Sequence, residues 1–136
     1  MQAIVPYFVE RGRGHLINIS SFLARVPVAA HRSAYNAAKA ALNALTMNLR
    51  ADVASKGVEV SIVMPGLVAT DFARNVMGTP SAAPPQWTPN AAMTPQTADE
   101  VAEAVAELIE HPRAEIYTNP ASAEMARRWF EGLGAL

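Results

Sequence analysis

Tyr35 and Lys39 stand four residues apart near the start of a stretch whose apolar residues recur at helical spacing. At that interval two side chains share one helix face within a turn. A phenol ordinarily titrates near about 10, too high for a base at neutral pH. An ammonium beside it favours the phenolate and brings proton transfer into working range. By itself such a pair is common on solvated helix faces. Two further features surround it. Ser20-Ser21 closes an apolar run that precedes the helix, and Pro65-Gly66 closes the next such run. A hydroxyl, a phenol and an ammonium brought together at strand ends could polarise and protonate a carbonyl oxygen. Each feature also has a plain structural use: a serine can satisfy backbone at a strand end, Pro-Gly can simply turn the chain, and Thr70 can cap Asp71-Phe72-Ala73.

The elements that must position these groups follow from periodicity and punctuation. Met1 to Arg11 carries Ile4, Val5, Tyr7 and Phe8 and runs into Gly12-Arg13-Gly14, which predicts the last turns of a helix with a glycine stop. His15 to Ser20 reads as a short buried strand. Phe22 to Arg32, containing Pro27, reads as a loop. Ser33 is the expected N-cap of a helix reaching about Ser55, with Ala38, Leu42, Leu45 and Leu49 as its apolar stripe and Lys56-Gly57 as its stop. Val58 to Met64 is a second strand. Thr79 to Pro95, with five prolines among small residues, reads as a loop or lid. Thr97-Ala98-Asp99-Glu100 is a capping box opening a helix that runs to His111-Pro112. Glu115 to Thr118 predicts a third strand, and Ser122 to Leu133 a closing helix with Met125, Trp129 and Leu133 on one face. Strand, helix, strand, helix, strand is the pattern of a parallel α/β sheet with right-handed crossovers. Ligands of such sheets bind at the carboxyl ends of the strands.

Composition narrows the function classes. The 136 residues carry a net charge of −1, with 51% apolar and 17% charged residues. The chain can therefore bury a core, and nothing in its charge points to nucleic acid or an anionic membrane. Arg127-Arg128 beside Trp129 reads as a solvated face. There is no cysteine, which removes disulfides, thiolate nucleophiles and cysteine-based metal sites and fits a reducing, cytoplasmic setting. His15, His31 and His111 share no ligand spacing, so no metal site is expected. No Gly-x-Ser-x-Gly elbow surrounds either serine. No apolar run approaches the roughly 20 residues that span a bilayer, and the N-terminus lacks the basic lead-in of a signal peptide.

Taken together, Gly14-His15-Leu16-Ile17-Asn18-Ile19-Ser20-Ser21, Tyr35-Asn36-Ala37-Ala38-Lys39-Ala40-Ala41-Leu42 and Pro65-Gly66-Leu67-Val68-Ala69-Thr70 resemble the short-chain dehydrogenase/reductase family in order, spacing and element type. The resemblance covers nearly the whole chain. It implies the last three strands and helices of a Rossmann-like, doubly wound parallel sheet, with residues 71–96 as the substrate-loop segment. It also implies roles. Ser21, in preference to Ser20, would hydrogen-bond the substrate oxygen. Tyr35 would be the general acid in reduction and the base in oxidation, and Lys39 would support the phenolate and hold the nicotinamide ribose. Backbone at Pro65, Gly66 and Val68, with the Thr70 hydroxyl, would line the nicotinamide of NAD or NADP. Phe72, Val76, Met77 and Trp87 would form an apolar wall against an alcohol or carbonyl substrate.

The family's glycine-rich turn is not in these residues, because Gly12-Arg13-Gly14 precedes a strand instead of following one. The residue that chooses between NAD and NADP and the family's upstream asparagine are missing as well. The resemblance thus implies the C-terminal half of the domain: a fragment, a truncated gene product, or a chain completed by a partner, with the edge of Leu16 to Ile19 left bare. A rival reading is a non-catalytic association module. The apolar faces of the helices at 1–11 and 33–55 would join copies into a homo-oligomer.

Overall fold

A computed structural model of the chain describes residues 1–27, 32–72 and 94–133. The helix α1 (Val5–Arg11) is followed by the strand β1 (Gly14–Ile19). The long helix α2 (Ser33–Val53) leads to the strand β2 (Val58–Met64). The helix α3 (Ala98–Glu110), the strand β3 (Glu115–Tyr117) and the helix α4 (Pro120–Leu133) complete the order. The three strands form one parallel sheet in the order β1-β2-β3. Ile19 pairs with Val63 and Met64 with Tyr117, so the carboxyl ends of all three strands lie along one edge.

β2 is central, and Val60, Ser61, Ile62, Val63 and Met64 are fully buried. Its alternate residues serve the two faces. Val58 and Val60 join Leu16 and Val53 in a core padded by Val5, Phe8, Val9 and Leu49 of α1 and α2. Val63 joins Leu108 of α3 and Ile116 on the other face. A third cluster, Phe22, Val26 and Ala126 with Trp129 and Tyr117 beside it, seats α4 over the segment that follows β1. Near-continuous apolar runs covered on both sides are what a parallel sheet requires. Among the described residues β1 pairs with β2 alone, and Ile19 at its end is 46% exposed.

Both anticipated glycine stops are real. Gly12 and Gly57 adopt left-handed backbone at φ 62° and 70°, a region that disfavours a Cβ. The two stops also pack on each other, since a Cβ on Gly57 would lie 2.1 Å from the Gly12 carbonyl oxygen. The capping box at Thr97 and Glu100 is formed in both directions.

Five expectations are corrected. Ser33 is the first helical residue of α2, not its cap; Arg32 occupies the cap position without a side-chain bond. α2 ends at Val53 and passes into a 3-10 turn over Ala54–Lys56. The stripe Ala38-Leu42-Leu45-Leu49 is the buried face only in part, through Leu49 packed on the core and half-buried Leu42. Leu45 is 57% exposed and Ala38 is exposed, whereas Asn36, Asn43, Thr46 and Val53 turn inward. Asn18 and Met64 offer partners there to the Thr46 hydroxyl and the Asn43 amide nitrogen, so hydrophobicity alone misreads that face. The loop after β1 contains a 3-10 turn at Phe22–Ala24. α4 starts two residues early because the Asn119 side chain accepts the Ala121 N–H at 2.9 Å, with Pro120 at the first turn. His31, Val76, Met77, Trp87, the 79–93 part of the expected lid and the side chain of Leu133 lie outside the described residues. No described helix is long and apolar enough to cross a membrane.

Candidate active site

The end of β1 places the two serines. Ser20 still belongs to the ladder through its N–H, which donates to Val63 O at 2.8 Å, and Phe22 N–H donates to Pro65 O at 2.9 Å. Ser20-Ser21 and Met64-Pro65 therefore lie side by side at the sheet edge. Ser21 is buried and extended, and its hydroxyl oxygen accepts the Leu23 N–H at 3.2 Å, capping the 3-10 turn. The purely structural use of a serine at this point is thus present. A hydroxyl that accepts one bond keeps its own hydrogen free to donate.

The first turns of α2 lie against that edge. Lys39 Nζ donates to Ile19 O at 2.9 Å, and the Ser20 hydroxyl donates in return to Lys39 O at 3.3 Å. The Lys39 ammonium sits 5.9 Å from the centroid of the Tyr35 ring. Phe72, in the segment after β2, packs on Tyr35 with ring centroids 5.8 Å apart and tilted by 58°, and is itself 55% exposed. Tyr35 and Lys39 so lie against the strand end that Ser21 follows, with Tyr35 partly open to solvent.

The segment after β2 supplies the other wall. Val68 forms a parallel bridge with Gln96. Ala69 N–H donates to Gln96 O at 2.8 Å and Gln96 N–H to Leu67 O at 2.9 Å. In a parallel bridge of this kind the residue between the two bonds, Val68, turns its own N–H away from the partner. The Gln96 side chain is held at both ends by Thr118, donating to its carbonyl at 2.9 Å and accepting its hydroxyl at 2.6 Å. The Thr70 hydroxyl oxygen accepts the Phe72 N–H at 3.4 Å, so the capping use of Thr70 is present here too.

Several positioning residues carried no signal in the sequence. Thr46 is fully buried; its hydroxyl donates to Leu42 O at 2.6 Å and accepts from Asn18 Nδ2 at 2.9 Å. Asn43 Nδ2 reaches Met64 Sδ at 3.8 Å. Gln96 sits inside a proline-rich stretch where no periodicity marks it. His15 lies on the α3 face, with Nε2 2.8 Å from Ser61 Oγ, whose hydrogen goes to Arg113 O at 2.6 Å. Burial pushes the His15 imidazole below its usual value; Glu59 opposes this and Arg50 adds to it. An open groove of about 640 Å³ runs past Arg25, Asn36, Ala40 and Trp129. Ser21, Tyr35 and Lys39 are not among its lining residues. No group of three metal-ligating side chains occurs among the described residues.

Comparison with known proteins bears on the family and the fold. The family model described as short chain dehydrogenase matches residues 1–80, more than half of the 136. An NADP-dependent 3-hydroxy acid dehydrogenase of Salmonella typhi is 36% identical over 112 residues, covering 81% of this chain and 45% of that protein. A dehydrogenase/reductase SDR family member 7B of Danio rerio is 43% identical over 76 residues, 56% of this chain and 24% of that protein. The chain thus spans less than half the length of these curated relatives. A short chain dehydrogenase from Burkholderia cenocepacia, solved in complex with NADP, superposes with a TM-score of 0.71 at 29% identity. That match covers 98% of this chain and 49% of the other. A short-chain dehydrogenase from Streptomyces avermitilis gives a TM-score of 0.75 at 26% identity over 98% of this chain and 52% of the other. A parallel α/β chain with these three motifs at one sheet edge belongs to the short-chain dehydrogenase family.

Proposed function

We propose that the chain carries the proton-transfer half of an NAD(P)-dependent oxidoreductase acting on an alcohol or carbonyl, and that it is the C-terminal portion of one Rossmann-like domain. The observation that carries the reading is the placement of the Lys39 ammonium 5.9 Å from the Tyr35 ring, tied to the strand end that bears Ser21. The residues present fit a nicotinamide nucleotide. Lys39 spends one of its three donors on Ile19 O, leaving two for ribose hydroxyls. The Val68 N–H, turned away from Gln96, would meet the nicotinamide edge beside Pro65, Gly66 and the Thr70 hydroxyl. Bound there, the nicotinamide supplies or accepts the hydride. The chain's own residues handle the proton. Ser21 O–H holds the substrate oxygen, Tyr35 O–H gives that oxygen its proton in reduction and takes it back in oxidation, and Lys39 stabilises the phenolate left behind. Phe72, exposed beside Tyr35, offers an apolar wall to the substrate.

NADP is the nucleotide named for the Burkholderia structure and for the Salmonella enzyme, and it is the first to try. Tyr35→Phe in an assembly that turns over should abolish activity while leaving the circular dichroism spectrum intact. Retained turnover would refute the assigned proton path.

The second reading, a non-catalytic association module that forms a homo-oligomer, is favoured by one observation. Ile4 at the cap of α1, Tyr7 on α1, and Leu45 and Met47 on α2 are 37–57% exposed. NADPH and NADH fluorescence titration separates the two. A saturable change supports the oxidoreductase, and no change with a concentration-dependent sedimentation coefficient supports the module.

A further inference from the structure

We infer that Ser20 is a positioning residue that sets the place of the Lys39 ammonium. The backbone of Ser20 is locked onto β2 by its N–H bond to Val63 O at 2.8 Å, and the residue is only 4% exposed. Its hydroxyl donates to the Lys39 carbonyl at 3.3 Å, while Lys39 Nζ donates back to Ile19 O at 2.9 Å. Two bonds of opposite sense therefore join consecutive strand residues to the two ends of one lysine. A free lysine stem samples many rotamers. Here the carbonyl and the ammonium are both pinned to the same strand end, so the stem spans two fixed points. Tyr35, one turn earlier on the same face, inherits that placement. Its consequence for proton transfer rests on the oxidoreductase reading above; the clamp does not.

The sequence provides an internal control, because Lys39 and Lys56 are its only lysines. Lys56 is exposed in the turn after α2. Native pulse acetylation with acetic anhydride, read by peptide mass spectrometry, gives the ratio of the two rates in the intact chain without cofactor or turnover. In the wild type Lys39 should label more slowly than Lys56. Ser20→Ala should raise the Lys39/Lys56 ratio about fivefold, the population change expected from one hydrogen bond. Ser20→Thr, which keeps the hydroxyl, should return it to near the wild-type value. Should Ser20→Ala fail to fold, Ser20→Cys keeps the volume with only a weak donor and should raise the ratio in the same direction. The inference is overturned if Lys39 labels as fast as Lys56 in the wild type. It is overturned equally if the folded variant leaves the ratio unchanged, whatever happens to its melting temperature. A purely structural serine would lower the melting temperature and leave the ratio alone. A failed NADPH titration, by contrast, would overturn the oxidoreductase reading and leave this clamp standing.

Discussion

The bond between Asn18 and Thr46 offers a direct test of how α2 is held against β1. Thr46 lies two turns beyond Lys39 on the same face, fully buried, and accepts the Asn18 amide at 2.9 Å while donating to Leu42 O at 2.6 Å. Thr46→Val conserves shape, so no cavity opens. Two neutral hydrogen bonds are lost, the one accepted from Asn18 and the one donated to Leu42 O, and the Asn18 amide keeps only its long contact to Met1 Sδ at 3.9 Å. A net side-chain bond contributes about 1 kcal/mol, so losing both makes the expected cost roughly 2 kcal/mol. Asn18→Ala should cost about 1 kcal/mol by the same bond. Because both changes delete one shared interaction, the double variant should cost less than their sum, with a coupling of about 1 kcal/mol. Urea unfolding followed by far-UV circular dichroism measures all four proteins, and equal slopes against denaturant keep the comparison valid. Coupling below about 0.5 kcal/mol would refute the claim that this bond fixes the azimuth of α2, and with it the account of what aims Tyr35 and Lys39.

Other outcomes follow from the same geometry. Leu108→Ala empties a fully buried site between Val63 and Ile116 and should cost about 2–5 kcal/mol, read as a lowered urea midpoint; a loss below about 1 kcal/mol would mean that α3 does not pack as described. Gly14→Ala should disturb α1, since a Cβ there would sit 2.2 Å from the Phe8 ring; unchanged Phe8 side-chain resonances in the variant would contradict that contact. Thr97→Ala removes the cap of α3 at a cost of about 1 kcal/mol, measurable as faster amide exchange in the first turn. His15 titrates below its usual 6.5 in the folded chain because burial disfavours its charged form. Near and below that value the unfolded chain binds more protons than the folded one. The stability His15 contributes is therefore full above about pH 6.5 and lost as the pH falls. Melting temperatures from about pH 5 to 8 should fall less steeply on the acid side for His15→Gln than for the wild type, and coincident profiles would disprove the assignment.

Much of the fold was legible in the residues themselves. An apolar run between glycine and serine marked β1 within a residue, and a valine-isoleucine run between glycine and proline marked β2, because a central parallel strand buried on both faces is apolar along most of its length. Gly12, Gly57 and the Thr97–Glu100 box announced the helix ends, since those positions need a left-handed residue or a local acceptor. The four-residue interval alone put Tyr35 and Lys39 on one face. Other features were decided only in three dimensions. The inward face of α2 is polar because Asn18, Ser20 and Met64 stand opposite it, and no periodicity in one helix can report which partners the sheet will present. Gln96 joins Leu67, Ala69 and Thr118 across long sequence separations, and Gly57 meets Gly12 for a steric reason that exists only once the turns pack. Spacing along the chain determines which side chains share a face; which of those faces is buried, and what each group finds there, belongs to the packing of one element on another.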